Sequence, residues 1–199
     1  MIYDNLSILY SNFHSNKNEI KKILNESKEE LNYDDIAKNI YLKLLDKDDK
    51  GIIYCLHNKM YEMYGENVYK LGMTSNIKKR LTGYTTSYID PIKVIFKTNK
   101  LKNKSFAELM LFEYLKNYRV TKNREFFKVD KEKIIETMNN IQNLFYKKEI
   151  CNIIVSKIKE DLCRLLSLSK KIKKEIKKEH HVRILKASKK KYKNNLSAI

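Results

Sequence analysis

The sequence predicts an α+β protein in which a small three-stranded sheet is flanked by helices, with a helical N-terminal extension and a long basic C-terminal helix. Apolar residues recur at helical spacing in both outer thirds of the chain. Between them lie short β-prone stretches bounded by turn residues. The chain has 199 residues with four Gly and one Pro, which argues against a turn-rich all-β sandwich.

The order of these patterns predicts three segments. Residues 1–50 form a helical extension, in which Asp34-Asp35 is a candidate N-cap. Residues 51–146 form the α+β core. Residues 147–199 form a basic tail, with 17 Lys and Arg against 5 Asp and Glu over residues 147–193.

Within the core, the first two strands are close enough in sequence to form an antiparallel hairpin. The strands are predicted at residues 51–57, 68–72 and 92–97, and residues 124–129 form a short extended segment. Helices are expected after Ser75, from Ser105 to about Arg119, and after Asp130. The pattern from Ser105 to Glu108 has the form of a capping box, so capping is one interpretation of that glutamate.

The formal net charge of +18, from 42 basic and 24 acidic residues, indicates a polyanionic partner. Nucleic acid fits this charge better than a membrane surface does. The tail is read as a basic amphipathic helix with apolar positions at 4-3 spacing: Ile158, Leu162, Leu165, Ile172 and Ile176. Such a helix either binds phosphates or pairs with a second copy as a homodimer, and both interpretations stay open.

The remaining composition argues against several other classes of protein. The three cysteines, Cys55, Cys151 and Cys163, are odd in number and lack CxxC spacing, so neither a disulfide framework nor a thiolate zinc site is expected. The first residues lack the pattern of a signal peptide, and no apolar run approaches the ~18 residues of a membrane span. We therefore expect an intracellular protein without a membrane partner.

An ordered set of residues resembles the GIY-YIG nuclease family, in particular its phage- and virus-borne branch, often labelled a DNA-binding domain. The resemblance covers residues 51–130, about two-fifths of the chain. Its members are Gly51-Ile52-Ile53-Tyr54, Tyr69-Lys70-Leu71-Gly72, Arg80 eight residues later, Tyr84, Glu108, Arg119 and Asn123-Arg124-Glu125-Phe126-Phe127.

This resemblance implies a metal-dependent DNA endonuclease that leaves 5′-phosphate and 3′-hydroxyl ends. It implies one divalent metal ion, Mg²⁺ or Mn²⁺ as its substitute, with Glu108 as the carboxylate ligand. Tyr54 would be the general base, and Arg80 would clamp the scissile phosphate. A free phenol with a pKa near ~10 is a poor base at neutral pH, so Lys70 on the paired strand is proposed to lower the pKa of Tyr54. Tyr84, one helical turn after Arg80, would hydrogen-bond a phosphate or the nucleophile.

Further residues are candidates for contacts with the DNA backbone. Gly72 would permit close approach of a backbone or a phosphate. Basic side chains would supply the charge: Lys78, Lys79, Arg119 and Arg124 in the core, and Lys170, Lys171, Lys173 and Lys174 in the tail. Glu125 is the second-choice carboxylate, with a salt bridge to a nearby arginine as its alternative role.

Two other functions remain alternatives to an endonuclease. One is a DNA-binding module of the same fold that does not cut, and the other is an interaction protein with a coiled-coil tail. RNA also remains open as the substrate.

Overall fold

The computed structural model describes residue 6 and residues 9–26, 32–85 and 88–167. The helices are α1 (Phe13–Glu26), α2 (Tyr33–Asp46), α3 (Ile77–Thr85), α4 (Lys104–Tyr114), α5 (Lys131–Lys147) and α6 (residues 152–167). The strands are β1 (Ile52–His57), β2 (Val68–Thr74), β3 (Lys93–Lys97) and β4 (Phe126–Lys128). Two 3-10 helices span Lys59–Tyr64 and Lys116–Tyr118. The α+β class is confirmed.

The strands form one four-stranded antiparallel sheet in the order β3-β1-β2-β4. The β1–β2 hairpin is confirmed, but the prediction of three strands is wrong. The segment that was predicted to be only extended contains a fourth strand, and this strand pairs with β2. Lys70 therefore lies opposite Phe126, and Val68 lies opposite Lys128. A strand of three residues shows too little alternation to be separated from a loop by sequence pattern alone.

The two faces of the sheet have different roles. Side chains alternate between the faces along each strand. Ile53, Cys55, Leu71 and Phe127 point into the hydrophobic core, which also contains buried residues of α4 and α5. Tyr54, the neighbour of Ile53 and Cys55 in β1, belongs to the other face, where it lies opposite Gly72 of β2. This second face carries the candidate site.

The N-terminus of α4 differs from the prediction in a way that affects Glu108. The N-cap is Asn103, whose side chain accepts a hydrogen bond from the Phe106 N–H at 3.0 Å, and the hydroxyl of Ser105 bonds Asp49 instead. Asn103 is also fixed by its own donation to the Leu44 carbonyl at 2.8 Å, a contact that no local pattern shows. The capping-box interpretation of Glu108 is therefore wrong.

Other helix boundaries also shift. The N-cap of α2 is Asn32, so Asp34 and Asp35 lie in the first turn of the helix. Helix α4 ends at Tyr114, and a 3-10 turn leads on to Arg119. Asp130 is the N-cap residue of α5, although its side chain makes no capping hydrogen bond.

Helix α6 packs against the rest of the chain. Ile158, Leu162 and Leu165 are buried in the same core as the sheet. The Tyr10 hydroxyl also bonds Asp161 of this helix at 2.9 Å. These three positions of the predicted 4-3 stripe are thus covered by their own chain and are not available to a second copy. Ile172 and Ile176, with the tail lysines Lys170, Lys171, Lys173 and Lys174, lie outside the described residues.

The packing of α6 gives a first prediction. Ile158→Ala should lower the free energy of unfolding by about 2–5 kcal/mol, because the residue is fully buried. Ile153→Ala on the same helix, where the side chain is 55% exposed, should change it by less than about 0.5 kcal/mol. Urea unfolding measures both values. A stable Ile158→Ala variant whose mass in light scattering falls to half would instead favour the homodimer.

Among the described residues, no helix is both long and apolar enough to cross a membrane.

Candidate active site

Three of the predicted site residues meet on the second face of the sheet. Tyr54 is fully buried, and its hydroxyl accepts a hydrogen bond from Arg80 Nε at 3.0 Å. The Tyr84 hydroxyl lies 3.5 Å from the Tyr54 hydroxyl. The Arg80 guanidinium also stacks on the Tyr84 ring, 5.3 Å from its centre. The predicted pairing of Arg80 and Tyr84 on one helix face is confirmed.

Gly72 provides the space that Tyr54 occupies. It lies directly opposite Tyr54 in the β1–β2 ladder, and a Cβ added to it would be 2.6 Å from the Tyr54 hydroxyl oxygen. The group that closely approaches this glycine is therefore the Tyr54 side chain of the same protein, and not the backbone or phosphate that was predicted. Buried in this way, Gly72 acts by admitting the Tyr54 ring rather than by touching a phosphate.

Helix α3 brings basic side chains to the rim of the site. Its first turn is capped by Asn76, which accepts a hydrogen bond from the Lys79 N–H at 3.1 Å. Lys78 and Lys79 are exposed. Lys79, Arg80 and Tyr84 line a surface groove of about 380 Å³. These positions suit contacts with a phosphate backbone.

The role predicted for Lys70 is wrong. Its ammonium lies 2.7 Å from the Glu125 carboxylate and 5.0 Å from the centre of the Phe126 ring. In the β1–β2 ladder Lys70 lies opposite Leu56, so the cation that contacts Tyr54 is Arg80. Burial and the Tyr84 hydroxyl raise the pKa of Tyr54 above its ordinary value, and Arg80 opposes them only in part. Tyr54 is therefore a neutral phenol in the free protein.

Glu108 is a partly buried carboxyl on α4. Burial, reinforced by the negative charge of Glu125, raises its pKa to about 7. The Met73 backbone N–H and the charges of Arg80 and Lys70 oppose this rise. Within the part of the chain that the structure describes, Glu108 makes no ion pair within 4.0 Å. When a carboxyl group has no ion-pair partner, a cation that binds nearby stabilises its ionised form.

The donors around Glu108 fit a hard divalent cation better than zinc. Glu125 is the second carboxylate near enough to affect the pKa of Glu108. The salt bridge of Glu125 is made with Lys70 and not with the predicted arginine. No group of three or more His, Cys, Asp or Glu suited to a metal occurs among the described residues. A site with one or two carboxylates leaves most ligand positions to water and phosphate oxygens, as Mg²⁺ and Mn²⁺ accept.

The two predicted arginines Arg119 and Arg124 occupy different environments. The Arg119 guanidinium lies 4.7 Å from the Phe112 ring centre and 5.3 Å from that of Phe127, and it donates to the Lys122 carbonyl at 2.9 Å. Arg119 is thus engaged in packing, which its sequence position does not reveal. Arg124 is exposed in the following turn.

Sequence reasoning missed residues that adjoin this cluster. The Tyr61 hydroxyl lies 3.5 Å from that of Tyr88, and the ring centres of Tyr84 and Tyr88 are 6.0 Å apart. The four-residue spacing of Arg80, Tyr84 and Tyr88 was a usable signal, since it matches one helix face, although α3 itself ends at Thr85. Lys97 of β3, which is exposed and pairs directly with Tyr54, could be found only from the strand register.

In a comparison with protein families, residues 51–142 match the T5orf172 domain. The segment is similar to this family, and the match indicates a phage-type DNA-binding class of domain without identifying a reaction. The identification with the GIY-YIG nucleases is corrected by this finding, because the family that matches is a different one. The chain has no significant match among curated proteins, and none among solved structures.

Proposed function

We propose that this protein is a metal-dependent DNA endonuclease that hydrolyses phosphodiester bonds. The observation that carries the proposal is that Arg80 acts on two other groups. Its Nε donates to the Tyr54 hydroxyl, and its charge acts on the Glu108 carboxyl. A phosphate clamp, a buried phenol and a carboxyl group that makes no ion pair among the described residues thus lie close enough to influence one another.

Arg80 would hold the scissile phosphate. The residue is exposed, so the N–H groups that Tyr54 and Tyr84 do not engage are available to two phosphate oxygens. Tyr84 and Lys79 line the same groove and would bind adjoining phosphates. A guanidinium at this position also stabilises the charge that develops on phosphorus.

Glu108 would hold the divalent cation, with Glu125 beside it. When bound, such a cation lowers the pKa of a coordinated water and neutralises charge on the phosphate. The carboxylate must be ionised to bind it. Since the pKa of Glu108 is about 7, protons compete with the cation at this position below neutral pH.

The structure leads us to revise the role of Tyr54. A fully buried phenol with a raised pKa is a poor acceptor for a proton from water. Its hydroxyl is instead well placed to hold Arg80 in one orientation. Tyr54 is thus a positioning residue for the phosphate clamp, and Gly72 admits it.

The same observation favours a second candidate function, a module that binds DNA without cutting it. Incubation of supercoiled plasmid with the full chain and Mg²⁺ separates the two. The endonuclease proposal expects nicked and linear products that EDTA prevents. Plasmid that stays supercoiled although it is bound would favour the binding module.

DNA binding by the tail gives a further prediction. Residues 168–199 contain twelve Lys and Arg against two Glu. A chain ending at Ser167 retains the core described above, and it should bind DNA more weakly with a flatter dependence of log Kd on log salt. Each lost phosphate contact should flatten that slope by about 0.9, because fewer counterions are released.

A full-length control keeps the tail but replaces Lys170, Lys171, Lys173 and Lys174 by Gln. Fluorescence anisotropy across a salt series should place its slope between those of the parent and the truncated chain. An unchanged slope in both variants would contradict DNA binding by the tail.

A further inference from the structure

Helix α3 carries Arg80 and Tyr84, yet none of its nine residues is buried. A helix this short is marginal by itself, so contacts at its ends and the bond from Arg80 to Tyr54 help to set its position, beside its half-buried Ile77, Leu81 and Tyr84. Asn76 caps the first turn. The other end of the helix therefore needs an anchor if Arg80 is to keep one orientation.

The 3-10 helix Lys59–Tyr64 supplies this anchor through Tyr61. The Tyr61 hydroxyl donates to the Tyr88 hydroxyl at 3.5 Å, and the ring centres are 5.9 Å apart. Tyr88 in turn continues from α3, since its N–H bonds the Tyr84 carbonyl at 3.2 Å. Tyr61 is 3% exposed and is itself fixed by an edge contact with Phe126 at 5.0 Å.

Asn58 adds a second link between the same two segments. Its side-chain amide donates to the Asp90 carbonyl at 2.7 Å, while its oxygen accepts from the Met60 N–H at 2.9 Å. Asn58 is 1% exposed, and both bonds are partly buried. Tyr88 and Asp90, which follow α3, are thus both attached to the segment from Asn58 to Tyr61.

We propose that Tyr61 is a positioning residue that, through Tyr88, holds the end of α3 so that Arg80 and Tyr84 stay over Tyr54. Without this link the helix would pivot about its capped first turn, and Arg80 Nε would leave the Tyr54 hydroxyl. The effect on cleavage rests on the proposed function. The positioning of Arg80 does not, and it is measurable in the absence of metal and DNA.

The test follows the Nε–H of Arg80 by nuclear magnetic resonance in the full-length, ¹⁵N-labelled protein. Loss of one signal in Arg80→Lys assigns it. Tyr61→Phe should speed its exchange with water by about 2- to 10-fold, the range expected when one net hydrogen bond is lost. Tyr64→Phe is the matched control, because this tyrosine lies on the same turn but is 65% exposed. In this variant the exchange rate of the Arg80 Nε–H should not change.

Tyr88→Phe removes the other hydroxyl of the pair, and it tests the proposal if Tyr61→Phe does not fold. It should speed exchange to a similar extent. If Tyr61→Phe or Tyr88→Phe folds and the exchange rate of the Arg80 Nε–H is unchanged, the proposal is overturned, whether or not the protein cuts DNA. If the parent cuts, Tyr61→Phe should lower kcat more than it raises KM, and Tyr64→Phe should do neither.

Discussion

The Glu108→Gln variant is expected to lose Mg²⁺-dependent nicking by about 10²-fold or more, because the amide keeps the size of the side chain but cannot bind the cation as a carboxylate does. The rate of plasmid relaxation in a Mg²⁺ series measures the effect. Glu113→Gln is the matched control on the same helix, since its carboxylate pairs with Lys116 at 2.7 Å. Full activity of Glu108→Gln would show that another group holds the cation.

The same variant should be more stable than the parent at pH 8. A carboxyl with a pKa near 7 keeps its proton in the folded protein after the unfolded chain has lost it, above pH about 4.5. Folding stability of the parent therefore falls as pH rises from about 4.5 through 7, and glutamine removes this loss. For a partly exposed group we expect a gain of about 1–2 kcal/mol at pH 8 and little at pH 4. Urea unfolding at both pH values distinguishes loss of the cation site from loss of the fold.

Arg80→Ala is expected to weaken DNA binding in EDTA and to lower the cleavage rate by about 10²-fold, because it removes the phosphate clamp. Tyr54→Phe removes only the hydroxyl that holds Arg80, so its effect on the rate should be smaller. When combined, the two changes should cost little more than Arg80→Ala alone, as expected for groups that act through one another.

The pH dependence of Tyr54→Phe separates positioning from base catalysis. If Tyr54 only holds Arg80, the rate falls by a constant factor and the shape of the pH profile is unchanged. Loss of a pKa from the profile, with additive effects of the two substitutions, would instead make Tyr54 the base. Tyr64→Phe, an exposed hydroxyl deletion, serves as the control.

Local sequence patterns predicted most of the helices and strands of the core, but not the fourth strand or the burial of α6. The β1–β2 hairpin follows from two β-prone runs on either side of a turn, and α5 follows from its apolar stripe of Ile134, Met138, Ile141 and Phe145. The fourth strand was missed because its three residues depend on a partner in β2. The burial of α6 was missed because an amphipathic stripe looks the same whether it meets its own core or another chain.

For the candidate site, the sequence predicted one contact between residues of α3 but not the partners of the other residues. Spacing along α3 placed Arg80 and Tyr84 together, and that is a local property. The partner of Lys70 was not local, since Glu125 lies 55 residues away and reaches it only through β4. Likewise, the raised pKa values of Tyr54 and Glu108 arise from burial, which depends on the complete fold.

The most direct test of a cation site at Glu108 is anomalous diffraction from crystals soaked in Mn²⁺. The account predicts a peak within bonding distance, about 2.0–2.3 Å, of a Glu108 carboxylate oxygen. The peak should be absent from Glu108→Gln crystals and present in Glu113→Gln crystals. Bound Mn²⁺ elsewhere, with none at Glu108 in the parent protein, would contradict the assignment of this carboxylate and with it the proposed metal-dependent reaction.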